Sequence, residues 1–152
     1  MRTPTILLAA AALGLAGCET VQPLLAPPMG TMVTSSSKAP YGAYLVDGAG
    51  RSLYILEGTR MSNGTDRCSG ECLMAWPPLL VDGPPVASAG IDPAKLATVP
   101  TLTRPQAAYA GWPLYYYHRD QVAGDTTGQH VRDQWGTWHL LAPSGEPIRP
   151  VR

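Results

Sequence analysis

Phenylalanine is missing from the 152 residues. Tyr, Trp and Leu must therefore supply the bulky part of any core. Charge is sparse: Asp, Glu, Lys and Arg make up 14% of the chain and balance to a formal net charge of zero. That lacks the basic footprint by which a protein holds nucleic acid, so no nucleic-acid partner is expected. No apolar run reaches the ~20 residues that a membrane-spanning helix needs. No Gly-x-Ser-x-Gly elbow occurs, which leaves a serine hydrolase without support. The covalent haem signature C-x-x-C-H is lacking too, because Cys68 and Cys72 are spaced C-x-x-x-C and followed by Leu73. His118, His130 and His139 are the only histidines. Nothing in their spacing requires a metal, and neither a metal nor another cofactor is expected.

Glycine and proline, by contrast, are abundant at 16 each. Many turns and few long periodic stretches point to a β-rich fold. The first residues have the three parts of a secretory signal: Met1 and Arg2, an apolar run from Ile6 to Leu15, and a small-residue site. That site, Leu15-Ala16-Gly17-Cys18, resembles a bacterial lipobox. The resemblance implies that residues 1–17 are a signal peptide and that Cys18 carries lipid, making the membrane a partner through that lipid. Several acyl chains anchor stably, at ~0.8 kcal/mol per buried CH₂. Glu19 replaces the Asp that retains lipoproteins at the inner membrane of many two-membrane bacteria. The expected location is thus the outer membrane, facing the periplasm. Residues 18–40 hold Pro23, Pro27, Pro28, Pro40 and the run Ser35-Ser36-Ser37 without periodicity, and read as a flexible tether. Residues 41–152 form the expected globular domain. From Cys18 onward ten Lys/Arg face eleven Asp/Glu, a charge near −1.

The globular part echoes itself. Gly50-Arg51-Ser52-Leu53-Tyr54 aligns with Gly111-Trp112-Pro113-Leu114-Tyr115, and Trp76-Pro77-Pro78-Leu79 with Trp138-His139-Leu140-Leu141, at offsets of 61 and 62. One recurring spacing predicts two related units, at about 41–82 and 99–145, packed into one small mainly β domain. Leu53, Tyr54, Trp76, Leu114, Tyr115 and Trp138 should be buried at corresponding places. Tyr44 to Val46, Asp47-Gly48-Ala49-Gly50 and Arg51 to Leu56 read as a hairpin. Gln106 to Tyr109, Ala110-Gly111 and Pro113 to His118 read as a second, with Pro113 confined to an edge or a strand start. Thr137 to Leu141 is a further strand, closed by the turn Pro143-Ser144-Gly145. Asp92-Pro93-Ala94-Lys95 has an N-cap followed by Pro at the first helical position, which predicts one of one or two short helices. Asn63-Gly64 reads as a turn.

Tyr109 to Asp120, the following Gly124-Asp125-Thr126-Thr127-Gly128-Gln129, and Trp138 carry a family resemblance. With Cys68-Ser69-Gly70-Glu71-Cys72 and Trp76-Pro77-Pro78-Leu79, they resemble bacterial lipoproteins with a Tyr-x-aromatic-x-x-Asp motif, also called secreted repeats of unknown function. Tyr115, Tyr117 and Asp120 fit the motif. The first unit departs from it, with Tyr54 kept but Leu56 in place of the aromatic and Thr59 in place of the Asp. An Asp-Gly expected after Arg104 is also missing. The resemblance implies a secreted location and brings no activity.

Cys68 and Cys72 are the sharpest chemical feature. Two nearby thiols outside the cytoplasm oxidise, which predicts a disulfide clamping the loop ahead of Trp76. The same spacing serves secreted Cu(I) chaperones, whose soft thiolates suit the metal. Alternation places Tyr115 and Tyr117 on one strand face and Tyr116 on the other. These rings either fill the core or form an aromatic binding surface. Asp120 either caps the next turn or serves as a ligand or acid. The leading expectation is a non-enzymatic, envelope-anchored binding or accessory domain without catalytic residues. One alternative is a periplasmic copper or thiol redox protein using Cys68 and Cys72. The other is an enzyme with an aromatic cleft and Asp120.

Overall fold

The computed structural model describes residues 30–60 and 67–150. The expected signal peptide, Cys18, the part of the expected tether up to residue 29 and the expected turn at Asn63-Gly64 lie outside them. The fold is mainly β, as expected. Its strands are short: β1 (Met32–Lys38), β2 (Gly42–Asp47), β3 (Tyr54–Leu56), β4 (Val86–Ala87), β5 (Leu96–Val99), β6 (Gln106–Tyr109), β7 (Trp112–Pro113), β8 (Arg132–Asp133) and β9 (Gly136–Leu140). Helix α1 spans Glu71–Ala75, and a 3-10 turn spans Pro93–Lys95. The strands form three sheets, ordered β2-β1-β4, β3-β9-β8 and β5-β6-β7. Among the described residues no helix is long and apolar enough to cross a membrane.

The local chemistry explains several elements directly. Asp92 caps the 3-10 turn, its side chain accepting from the Ala94 N–H at 3.0 Å, with Pro93 at the first position. Ala110 (φ 51°) and Gly111 (φ 82°) both adopt the positive φ that a two-residue hairpin turn between β6 and β7 requires. Pro113 falls on β7, an edge of its sheet, where its missing N–H leaves no gap in a ladder. Gly145 donates to Ala142 O, closing the expected turn after β9.

Two expectations need correction. The expected tether contains β1. Ser35, Ser36 and Ser37 pair with Leu45, Tyr44 and Ala43 of β2, and Val33 is fully buried. A ladder on both sides of β1 outweighs a composition that reads as linker. The first hairpin also ends early. Asp47 Oδ1 accepts from the Ala49 and Arg51 N–H groups, and Val46 bridges Ser52, as a tight turn requires. Beyond Leu53 the chain leaves β2, and β3 pairs with β9, with Tyr54, Ile55 and Leu56 opposite Leu140, His139 and Trp138.

That departure places the central strands between two cores. Leu53 and Ile55 point into an aliphatic cluster with Leu45, Leu79, Leu114 and Leu141. Tyr54 and Leu56 point the opposite way, into an aromatic cluster with Tyr44, Trp76, Tyr115 and Trp138. Leu114 and Tyr115 divide in the same manner, and partly buried Tyr116 packs against the aliphatic side. Strands covered on both faces read as continuous apolar runs, which is why Leu-Tyr-Ile-Leu and Leu-Tyr-Tyr-Tyr carry no polar alternation.

Residues aligned by the echo meet one another. Tyr54 and Tyr115 exchange both backbone hydrogen bonds, at 2.8 and 2.9 Å. Tyr54 lies opposite Leu140, and its counterpart Tyr115 bridges Pro78. The Leu45 N–H donates to Leu141 O, and the Ala107 N–H to Leu79 O. All six residues named from the echo as core are fully buried.

Candidate functional site

The aromatic core is a stack. Trp76 and Trp138 lie face to face, with centroids 3.9 Å apart and planes 8° apart, and Tyr117 continues the stack at 4.2 Å from Trp76. Tyr54 meets Trp76 edge-on and Tyr115 meets Trp138 edge-on. Asp133 holds the centre. Its Oδ2 accepts from both indole N–H groups, at 2.9 and 3.0 Å, and its Oδ1 accepts from the Trp135 and Gly136 N–H groups. No sequence pattern singled out Asp133. Its place before Gln134-Trp135-Gly136, a turn signal, was the available clue.

The three motif residues all serve this core. Tyr115 is fully buried and Tyr117 is 7% exposed, so neither forms an open aromatic surface. Burial pushes the Tyr115 hydroxyl up to about 12. Asp120 Oδ2 accepts from the Tyr54 hydroxyl at 2.7 Å, and Oδ1 from the Thr127 N–H and hydroxyl. Burial, then Asp120 itself, raises the Tyr54 phenol far above its ordinary range, so it stays a donor. Asp120 thus fastens the segment up to Gly128 over Tyr54. Gly128 leaves no room there: a Cβ would come within 2.9 Å of the Tyr54 ring and 3.0 Å of Trp76.

Cys68 and Cys72 are joined by a disulfide, with Cα atoms 5.0 Å apart and both side chains buried in the aromatic cluster. The bridge binds α1 to the loop before it. Replacing both cysteines by Ala is expected to lower stability by ~2 kcal/mol, the chain-entropy value for so short a loop. Chemical denaturation of the oxidised and double-variant proteins measures the difference. An unchanged midpoint would remove the clamp's role.

The histidines do not form a single cluster. His130 and His139 have ring centroids 5.4 Å apart, while His118 sits at the end of α1. His139 Nε2 lies 3.7 Å from Glu57 Oε2, and Arg149 donates to Glu57 Oε1. Burial lowers the His139 pKa, partly offset by Glu57. Among the described residues no group of three or more His, Cys, Asp or Glu could hold a metal.

A concavity lies between α1 and residues 100–104. It encloses about 550 Å³, and Leu73, Pro78, Leu80, Leu102, Gln106 and Tyr115 are among the residues lining it. The Gln106 side chain donates to Leu114 O at 2.8 Å and is buried. Leu102 is fully exposed at the rim. Its loop is held by Thr101, whose hydroxyl donates to Arg104 O and accepts from the Thr103 N–H. Sequence reasoning missed this pocket because its walls come from three separated segments.

These features define a small β domain, clamped by a disulfide and built around paired tryptophans. Residues 103–142 match the model of a family described as a secreted repeat of unknown function. They hold Tyr115, Tyr117, Asp120, Asp133 and Trp138. No curated protein and no solved structure matches the chain.

Proposed function

We propose that this chain is an envelope-anchored protein, held by lipid on Cys18, whose domain binds an apolar group without transforming it. The observation that carries the proposal is the pocket between α1 and residues 100–104. Its volume lies within the ~300–1,000 Å³ of small-molecule sites, and its walls are mainly apolar with a few polar groups among them. The exposed Leu102 on a self-bonded loop extends that apolar surface outward. The matched family is described as a secreted repeat, which supports reading residues 15–18 as a lipobox. Asp120 and Asp133, the carboxylates nearest the aromatic core, have both oxygens engaged within the fold, which favours binding over acid–base chemistry.

The test uses 1-anilinonaphthalene-8-sulfonate as an apolar probe. The folded chain should enhance its fluorescence with single-site saturation. Leu102→Asp should weaken that binding at least tenfold. Val122→Asp, an exposed position not among the residues lining the pocket, should leave it unchanged. Equal binding by all three proteins would show that the pocket is not the site.

A further inference from the structure

Helix α1 has two unlike faces. Cys72 points inward to the disulfide and the aromatic cluster. Glu71 and Met74, three residues apart, share the outer side, where side chains at that spacing are neighbours. Together with Ala75 and His118 they line an open concavity of about 390 Å³. Met74 is 78% exposed, so its thioether is open to solvent.

His118 is fixed at this place. Its backbone N–H and its ring Nδ1 both lie 3.0 Å from Ala75 O. A carbonyl oxygen only accepts, so Nδ1 carries a proton, and Nε2, on the far side of the ring, is not part of this contact. Tyr117 packs edge-on against the ring, with centroids 4.9 Å apart. Histidines that ligate metals typically donate their other ring N–H to a backbone carbonyl or a carboxylate, which fixes tautomer and orientation. The other two histidines are differently placed: His130 Nε2 lies 3.1 Å from Ile148 O, and His139 is 3% exposed beside Glu57.

We propose that Met74 and His118, with Glu71 beside them, form a surface copper site at the outer face of α1. The donor types select the metal. A thioether is soft and suits Cu(I), and an imidazole suits copper in either state. Zinc would use only the imidazole and the carboxylate, because thioether is not among its usual ligands, so Met74 is the donor that selects copper. The Glu71 carboxylate supplies charge balance for the cation. The site needs no free thiol, so it operates with the Cys68–Cys72 bridge intact.

The test is competition for Cu(I) against bicinchoninate, without oxygen and with ascorbate as reductant. The protein is the full chain carrying Cys18→Ser, with thiols titrated before and after to show that the disulfide persists. One Cu(I) per chain should be withheld from the competitor. Met74→Leu, which leaves the His118 contact to Ala75 in place, should weaken binding at least tenfold, and His118→Ala should weaken it further. Circular dichroism distinguishes a lost ligand from a lost fold. The proposal is overturned if the parent chain withholds no copper, if Met74→Leu binds as tightly as the parent, or if copper is taken up only after thiols appear.

Discussion

Trp138→Ala should lower the unfolding free energy by about 3–5 kcal/mol, the range for removing a large buried aromatic side chain. Trp138 is fully buried, stacks on Trp76 at 3.9 Å and receives the edge of Tyr115 at 5.3 Å. Small domains hold only about 5–15 kcal/mol in total, so much of the stability would go. Trp138→Phe should lose less, because a ring remains to stack while the Asp133 bond is gone. Urea denaturation followed by far-ultraviolet circular dichroism measures all three proteins. A loss below ~1 kcal/mol for Trp138→Ala would mean that the stack does not hold the core. The same experiment bears on the echo. If the two units are related copies sharing one core, Trp76→Ala should cost about as much as Trp138→Ala. A cost confined to one tryptophan would leave the echo without energetic meaning.

The parts of this fold legible in the sequence are those set by local chemistry. Asp92-Pro93 specifies its turn because cap and fixed φ act within four residues. Ala110-Gly111 marks its hairpin, and the recurrence of Leu-Tyr and Trp names six core residues that are all buried. What stayed hidden depends on distant partners. The serines of β1 read as linker because their ladder partners, Ala43, Tyr44 and Leu45, appear only after a turn at Pro40. β3 reads as a hairpin arm because its true partner, β9, lies more than eighty residues onward. The motif was legible as a pattern but not as a mechanism. Asp120 reads as a turn cap, yet it reaches Thr127, seven residues on, and the Tyr54 hydroxyl, 66 positions away. The pocket beside α1 carries no motif at all, since apolar walls from separate segments look like ordinary loop and core residues until they are brought together.

Asp133 offers the most discriminating test of the core, because a near-isosteric change separates shape from hydrogen bonding. Asp133→Ala removes the shared acceptor of two indole N–H groups, in side chains that are both fully buried. A buried donor left unpaired costs ~1–3 kcal/mol. Two indoles together should cost about 2–6 kcal/mol, with a smaller addition from the Trp135 and Gly136 N–H groups at the turn. Asn would be a rescue if only shape mattered. Here it should fail, because all four partners of the carboxylate are donors and an amide has one accepting oxygen. Whichever way the amide turns, its NH₂ faces N–H groups, so Asp133→Asn should retain at least half of the loss seen with Ala. Indole N–H resonances in a ¹H–¹⁵N spectrum report the effect directly, and those of Trp76 and Trp138 should shift together in both variants. Removing one donor should relieve part of the penalty, so Asp133→Ala combined with Trp138→Phe should cost less than the sum of the two changes, as expected for residues in direct contact. Full stability in Asp133→Asn, or strict additivity in the double variant, would show that the two tryptophans do not depend on this carboxylate.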